Sequence, residues 1–241
     1  MGDPDFVNVF YKHDVIFLSE CWFSETEASS ITLSGYKVFT KARKKKKRAK
    51  RDSGGLCIFV KDIFADFFEF INWSNEDGLI LKISSSFTIL DKDLYFLFVY
   101  MRPQNSTRND LLNENDSYDS LTEKIADLRK NNEIIIIGDL NSRTSNLNDF
   151  ILSCPGNFDP TSSNDDSDFL IDDNFLLDRN VQVVRKNTDS KTNDFGHRLV
   201  NLCLISGFII CNGRLKGDKD TGRLTYFDKK GKSTNDYCLI S

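Results

Sequence analysis

The sequence predicts an α/β fold in which stacked sheets are flanked by helices. Short apolar strand patterns alternate with helical patterns, residues 56–61 (LCIFVK) and 134–137 (IIII) form continuous apolar runs, and 39% of the 241 residues are hydrophobic. Continuous runs of this length are typical of strands that are covered on both faces. The chain is long enough to bury a core without disulfide or metal support, and we expect one domain over residues 1–241.

Short apolar segments give the expected strands in chain order. The pattern predicts strands at residues 15–19, 36–40, 56–61, 79–83, 94–100 and 134–137. We expect Gly138 to stop the last of these strands. Near the end of the chain, RLTYF and STNDYCLIS flank residues 228–231 and predict a hairpin, in which Gly231 would supply a positive φ.

Two helices are predicted from apolar spacings of three and four residues. The apolar stripe of the first helix consists of Tyr118, Leu121, Ile125 and Leu128. Ser120 with Glu123 fits a capping box at its start, and the Asn pair at 131–132 ends it. The second helix is expected over about residues 196–206, with Gly207 in the left-handed position after its last turn.

The net charge of −4 conceals an uneven distribution. Residues 41–51 (KARKKKKRAKR) hold nine basic side chains and no acid, so the other 230 residues carry 23 basic and 36 acidic groups, a balance of −13. A like-charge run favours a solvated loop, and it is also a pattern for nucleic-acid binding or nuclear import. Residues 142–195 are rich in Asn, Asp and Ser, and we interpret them as a long surface excursion rather than a separate domain.

The composition excludes several classes of protein. No apolar run approaches the roughly 20 residues of a membrane-spanning helix, and the first residues do not form a signal peptide. We therefore expect an intracellular chain, in the nucleus or cytoplasm, that has no membrane partner. The six cysteines form no CxxC pair and are interpreted as buried free thiols. Neither His13 nor His197 has zinc-ligand spacing, and no small-molecule cofactor is evident.

Polar side chains stand at the ends of several predicted strands, where residues from different strands can converge. They are Glu20, Tyr100, Asp139, Asn141 and Asp236. A carboxylate in such a place can hold Mg²⁺, and the Asp-x-Asn spacing places two side chains on one face. Taken singly, each residue also has an ordinary structural interpretation: a solvated strand end, a half-buried ring, a turn or a hairpin cap.

The order and spacing of seven sequence blocks distinguish these interpretations. The blocks are ECW, GGLCIFVKD, VYMRP, IIIIGDLNSR, GHRLVNLCLISGFIICNGR, GRLTY and GKSTNDYCLIS. Over residues 13–241 they resemble the endonuclease/exonuclease/phosphatase superfamily, and especially the endonuclease domain of non-LTR retrotransposons. The resemblance implies a four-layered α/β sandwich, with two packed mixed sheets flanked by helices, and Mg²⁺-dependent nicking of DNA at a phosphodiester.

The resemblance also implies roles for individual residues. Glu20 matches the metal-ligand carboxylate, and Tyr100 matches the tyrosine near the scissile phosphate. Asp139 matches the aspartate that orients or activates the attacking water, and Asn141 matches the asparagine that holds the phosphate. The implied cofactor is Mg²⁺ and the implied partner is DNA.

Two further positions match the family near the end of the chain. Thr225 matches a residue near the DNA backbone, and Asp236 matches the aspartate that supports the catalytic histidine. The family's terminal Ser-Asp-His block and its first Asn block have no counterpart here, so we expect a sandwich that is incomplete at both termini. Without that histidine the expected rate is lower by ~10²–10⁴.

Two alternatives to an active endonuclease therefore stay open. One is a catalytically inactive remnant that at most binds nucleic acid. The other is a phosphatase or phosphodiesterase of the same superfamily. The basic run supplies the expected nucleic-acid contacts, because cations bound to phosphates release counterions. The residues expected to make them are Lys44, Lys45, Lys46, Lys47 and Arg48.

Overall fold

The structure is a computed structural model that describes residues 4–43, 53–103, 117–152, 170–171, 176, 181–229 and 231–241. The chain divides into two compact units, residues 1–100 and 101–241. The predicted nucleic-acid-binding residues, Lys44 to Arg48, lie outside the described residues, as do residues 153–169, 172–175 and 177–180. The single-domain interpretation stays a prediction.

The first unit contains short helices and two sets of paired strands. Its helices are α1 (Pro4–Phe10), α2 (Glu25–Ala28) and α3 (Asp62–Ala65). Its strands are β1 (Val15–Ser19), β2 (Tyr36–Lys41), β3 (Leu56–Lys61), β4 (Phe68–Ile71), β5 (Gly78–Ile83) and β6 (Leu94–Tyr100). Strand β3 lies between β1 and β2, and β5 lies between β4 and β6, with every pairing antiparallel.

Aromatic pairs pack the two sets of strands in this unit face to face. The Phe17 ring of β1 lies 5.1 Å from the Phe98 ring of β6, and the Phe39 ring of β2 stacks at 5.5 Å on the Phe70 ring of β4. Every residue of β3 before Lys61 is at most 1% exposed. The prediction that this strand is covered on both faces is therefore confirmed, and so are the stacked sheets.

The second unit also combines helices with short strands. Its helices are α4 (Ser117–Leu128) and α5 (Asp194–Ser206). Its strands are β7 (Glu133–Asp139), β8 (Ile151–Leu152), β9 (Leu170–Ile171), β10 (Ile209–Ile210), β11 (Tyr226–Asp228), β12 (Gly231–Ser233) and β13 (Asp236–Ile240). Strand β13 pairs with β7 on one side and β10 on the other. The mixed α/β class predicted from the sequence is confirmed.

Both predicted helices are present, and their apolar faces are as expected. The four stripe residues of α4 are all buried. In α5, Gly207 follows the last turn at φ 59°, the left-handed conformation predicted for it. The capping-box prediction is wrong, because α4 begins at Ser117 and Ser120 therefore lies inside its first turn.

Two glycine predictions are also wrong. Gly138 does not stop β7, because it pairs with Tyr237 of β13 and the strand continues to Asp139. Burial alternates along β7, so its isoleucines are not covered equally on both faces. The predicted hairpin is present between β11 and β12. Gly231 belongs to β12, pairs with Asp228 of β11 and does not have a positive φ.

Two segments that were predicted to lie at the surface contain buried charged side chains. In the described part of residues 142–195, Asp149, Arg185 and Asp189 are each at most 4% exposed. At the start of the basic run, Lys41 belongs to β2 and Arg43 is 7% exposed. In each case a charged side chain meets a partner distant in sequence, which composition alone does not reveal.

Two exclusions can be examined over the described residues. The five cysteines there are free thiols, buried or half-buried, as predicted; Cys154 lies outside that part of the chain. Over the same residues, the helices are all too short or too polar to cross a bilayer.

A glycine in α5 tests how tightly the second unit is packed. A Cβ added to Gly196 would lie 1.9 Å from the Arg143 carbonyl oxygen, which is backbone and cannot rotate away. We predict that Gly196→Ala lowers the free energy of unfolding in urea by about 1–3 kcal/mol or more. The matched control is Gly231→Ala, where a Cβ meets nothing within 4 Å, and its effect should stay within about 0.5 kcal/mol. Equal effects of the two substitutions would contradict the packing described here.

Candidate functional site

Glu20 directly follows β1 and has an unusual backbone. Its φ is 54°, in the left-handed region that few residues other than glycine adopt. Its side chain is exposed, and one carboxylate oxygen accepts a hydrogen bond from the Tyr100 hydroxyl. The structure therefore brings together two residues of the first unit that the sequence singled out.

Tyr100 is positioned by a buried ion pair. The residue ends β6, is 5% exposed, and its N–H donates to the Asp77 carbonyl at 2.8 Å. The Arg43 guanidinium lies 5.1 Å from the centre of the Tyr100 ring, and Arg43 Nη2 donates to Asp77 Oδ1 at 2.6 Å. Arg43 and Asp77 are both buried, so this ion pair supports the ring from the interior.

Because Gly54 has no side chain, the Arg43 guanidinium and the turn that follows Glu20 can both pack against its backbone. A Cβ at Gly54 would lie 2.4 Å from Arg43 Nη1, and the φ of 71° also favours glycine. The Gly54 carbonyl accepts from the Trp22 N–H at 2.7 Å, which anchors the turn that carries Glu20. The sequence block GGLCIFVKD thus contributes a steric requirement that sequence reasoning did not identify.

Lys41 holds the loop that carries Asp77. Its ammonium donates to the carbonyl of Trp73, to that of Asn75 at 2.6 Å, and to that of Gly78 at 3.1 Å. Burial lowers the pKa of Lys41, and the nearby Glu76 and Asp77 carboxylates oppose that shift. The first cation of the basic run is therefore a structural residue.

In the second unit, Asp139 and Asn141 form a compact turn after β7. Asp139 Oδ1 accepts from the Asn141 N–H at 2.9 Å, and Asn141 has a φ of 47°. Asn141 Nδ2 donates to the Met101 carbonyl at 2.6 Å, while the Met101 N–H donates to the Asp139 carbonyl at 2.8 Å. These bonds fix the Asp-x-Asn pair that the sequence predicted.

Asn193 links this turn to helix α5, and sequence reasoning missed it. Its Nδ2 donates to the Asn141 carbonyl at 3.0 Å. Its Oδ1 accepts from the Arg143 N–H at 2.8 Å and from the Gly196 N–H at 2.7 Å, so it also caps the helix. An Asn three residues before a predicted helical Gly was the available signal.

A buried carboxylate, Asp189, joins three segments of the second unit. It accepts from Arg143 Nε at 2.8 Å and from Arg143 Nη2 at 2.5 Å, and also from the N–H groups of Thr234 and Lys191, each at 3.1 Å. Burial raises the pKa of Asp189, but the hydrogen bonds from Arg143 and from the two backbone N–H groups outweigh it and hold that pKa below its usual value. Asp189 therefore stays ionised and couples the segment after β7 to the residues before β13.

Two buried tyrosines surround the residues that follow Asn141. The Tyr118 hydroxyl is hydrogen-bonded to Ser142 Oγ, and the Tyr237 hydroxyl donates to the Ser142 carbonyl at 3.0 Å. Burial raises the pKa of both phenols above the usual value. They remain neutral and serve as hydrogen-bonding supports.

Asp236 and Thr225 lie together at the start of β13. Asp236 is exposed and pairs in register with Asp139 of β7. Thr225 Oγ1 accepts from the N–H groups of Asn235 at 3.0 Å and Asp236 at 3.1 Å. The structure thus brings Asp139, Asn141, Asp236 and Thr225 into one connected part of the second unit.

The Arg43–Asp77 pair can be tested without touching Glu20 or Tyr100. We predict that Asp77→Ala lowers the free energy of unfolding by about 3–5 kcal/mol, because it leaves the Arg43 charge buried and alone. The matched control is Asp14→Ala, which removes an ion pair with Lys61 at 2.8 Å in which Asp14 is 61% exposed. That control should cost about 0–1 kcal/mol in the same urea titration. A destabilisation by Asp77→Ala as small as that of the control would refute the supporting role.

Known proteins resemble this chain in structure but not in sequence. No family model matches the chain, and no curated protein matches its sequence.

Solved structures do match. A 3′-5′ exonuclease (NExo) from Neisseria meningitidis is similar over 99% of this chain and 81% of its own, with 14% identity and a TM-score of 0.51. The 3′ phosphatase NExo from Neisseria bound to a product DNA hairpin is similar over 99% and 80%, with 12% identity and a TM-score of 0.50. At such identities the likeness concerns the fold. The chain shares the α/β fold of these exonuclease and phosphatase structures, which agrees with the fold that the sequence resemblance implies.

Proposed function

We propose that the chain is a Mg²⁺-dependent phosphodiesterase that nicks DNA, as the endonuclease domain of a non-LTR retrotransposon-like element. The observation that carries this proposal is the backbone at Glu20 and Asn141, which have φ values of 54° and 47°. Glu20 directly follows β1, and Asn141 lies two residues after the end of β7. Hydrogen bonds hold both residues in place. Left-handed conformations at residues other than glycine cost about 1–3 kcal/mol and cluster at functional sites.

The side chains have the chemistry that hydrolysis of a phosphodiester needs. Asp139 is an acceptor that would orient the attacking water. Asn141 uses one amide hydrogen on the Met101 carbonyl, and we assign the second to a phosphate oxygen. The Tyr100 hydroxyl holds Glu20, and we place the same hydroxyl near the scissile phosphate.

Asp236 and Thr225 have secondary roles in this proposal. The Thr225 hydroxyl accepts from two backbone N–H groups, so its own hydrogen remains for a DNA phosphate. Asp236 is exposed beside Asp139 in register and would orient a proton-transferring group.

Glu20 is the residue that would hold Mg²⁺. Mg²⁺ is commonly bound by one or two carboxylates together with water and substrate phosphate oxygens, so the single exposed carboxylate of Glu20 fits. Within the described ranges, there is no group of three or more His, Cys, Asp or Glu side chains that could hold a metal ion. When bound, the ion would offset charge on the phosphoryl and leaving oxygens.

The proposed partner is DNA, and the basic run would supply part of its binding. We expect replacement of Lys44, Lys45, Lys46 and Lys47 by Gln to flatten the salt dependence of DNA binding. The slope of log K against log salt should become shallower by about 0.9 for each phosphate that a lysine no longer neutralises. Fluorescence anisotropy at several salt concentrations measures this slope. An unchanged slope would remove the run from the interface.

Two alternatives to the nicking activity stay open, and the assay described below distinguishes them. A phosphatase is favoured by one specific observation, the Neisseria structure described as a 3′ phosphatase bound to a product DNA hairpin. An inactive remnant that only binds nucleic acid is the other alternative.

The test is a plasmid-nicking assay with Mg²⁺, run beside release of phosphate from a 3′-phosphorylated oligonucleotide. We predict that Asp139→Asn reduces nicking by about 10²–10⁴-fold, while it keeps an acceptor for the Asn141 N–H. The matched control is Glu123→Gln on α4, an exposed side chain outside the proposed machinery, which should leave the rate unchanged.

The outcomes separate the three functions. Phosphate release without nicking, abolished in Asp139→Asn, identifies the phosphatase. DNA binding with neither activity identifies the remnant. Nicking that persists in Asp139→Asn would contradict the proposed catalytic assignment.

A further inference from the structure

A polar pocket of about 390 Å³ lies in the second unit. No residue that we discuss as catalytic lines it. Its lining includes Asn146, Val184, Arg185, Lys186, Asn187 and Thr188. Among the described residues that line it, two are basic, several are neutral hydrogen-bonding residues and none is acidic. The pocket thus presents positive charge and hydrogen-bond donors.

Among the described residues behind the pocket, positive side chains outnumber negative ones. Asp149 is completely buried and accepts from Arg214 Nη1 at 2.7 Å and from Arg214 Nη2 at 2.8 Å. Arg185, which is 4% exposed, approaches the same carboxylate with Nε at 3.9 Å, too far for a hydrogen bond. Among the described residues, two buried guanidinium groups therefore share one carboxylate, which leaves an excess positive charge next to the pocket.

Several donors beside the pocket have no acceptor among the residues that the structure describes. Arg185 uses Nη2 on the Leu147 carbonyl at 3.1 Å, but its Nε and Nη1 have no hydrogen-bond partner in the part of the chain that the structure describes. Asn187 Nδ2 is likewise buried without an acceptor there. Burial lowers the pKa of Arg185, and the Asp149 carboxylate opposes that shift. Unpaired buried donors are costly, and a buried cation is more so.

The loop that carries these residues is held rigidly. The Asn187 N–H donates to Asn146 Oδ1 at 2.8 Å, and Asn187 Oδ1 accepts from the Thr234 hydroxyl at 3.0 Å. The Thr188 N–H donates to the Gly222 carbonyl at 2.9 Å. Lys186 extends into solvent, and the carboxylate nearest its ammonium, that of Asp220, is 4.0 Å away and 55% exposed. The donors are therefore arranged in advance of any ligand.

We propose that this pocket binds an oxyanion of the phosphate class, either free phosphate or a phosphodiester of a nucleic acid. An anion there would compensate the excess charge beside Arg185, and the Lys186 ammonium and the neutral amides would bind its oxygens. Guanidinium and ammonium groups both suit such a ligand. None of the lining residues is one to which we assign a catalytic role, and the proposal does not depend on any such role.

The test measures binding of inorganic phosphate by titration calorimetry, in EDTA and at constant ionic strength. Two exposed lining residues allow substitution without disturbing the buried ion pairs: Val184, which is 72% exposed, and Lys186, whose side chain is 60% exposed. We expect Lys186→Gln and Val184→Glu each to weaken phosphate binding about tenfold, the weight of roughly one charge contact. The matched controls are Val184→Lys, which should not weaken it, and Lys130→Gln, an exposed lysine outside the lining.

A second arm identifies the source of the phosphate group. An oligonucleotide without terminal phosphates is titrated against the same variants by fluorescence anisotropy. Oligonucleotide binding that weakens in Val184→Glu and competes with inorganic phosphate assigns the pocket to a nucleic-acid backbone. Phosphate binding that weakens while oligonucleotide binding does not assigns it to a free phosphate.

Two results would overturn the proposal. One is the absence of saturable phosphate binding to the wild-type chain at millimolar concentrations. The other is an equal phosphate affinity in Val184→Glu and Val184→Lys. Because EDTA is present and no proposed catalytic residue is changed, neither result bears on the nicking activity.

Discussion

The candidate site residues of the second unit depend on the hydrogen bonds that the buried carboxylate of Asp189 accepts. It binds the Arg143 guanidinium through two nitrogens and also accepts from the Thr234 backbone. Arg143 lies two residues after Asn141, and Thr234 lies two residues before Asp236. One carboxylate thus connects the two chain segments that present the acidic and amide side chains. Charge-assisted bonds of this kind are among the strongest in proteins, especially where water is excluded.

The surrounding residues convert that connection into a fixed geometry. Asn193 bonds to the backbone on both sides of Ser142, and the Tyr118 and Tyr237 hydroxyls bond to Ser142 itself. The turn at Asn141 can therefore hold a left-handed backbone without glycine. In the first unit the Arg43–Asp77 pair plays the equivalent part, because it supports the tyrosine that bonds to Glu20. In both units an ion pair with a buried carboxylate supports a strained residue after a strand.

Sequence patterns predicted what depends on local spacing. The apolar runs at β1, β3 and β6 and the stripe of α4 occur where they were expected, because burial of one or both faces determines them. Gly138 and Ser120 were misjudged, because pairing with β13 and an earlier helix start overrode their local preferences. Family motifs selected the candidate site residues, and within each unit the structure brings several of these side chains together.

The supporting residues could not be predicted in this way. Asp189 and Arg143 are 46 residues apart, and Asp149 and Arg214 are 65 apart. Composition alone suggested that residues 142–195 are a surface excursion, because it records charges but not their partners. That Arg185 and Arg214 both lie beside Asp149 becomes visible only in the folded chain, where residues distant in sequence come together.

A double-mutant cycle between Arg143 and Asp189 tests the central claim most directly. Arg143→Met, Asp189→Asn and the double variant are compared with the wild-type chain by urea unfolding at pH 7. The account predicts a coupling free energy of about 1.5–3 kcal/mol, since either single change removes the same interaction, in which Asp189 is buried and Arg143 is half-buried. A coupling below about 0.5 kcal/mol would show that the two side chains act independently and would contradict the account.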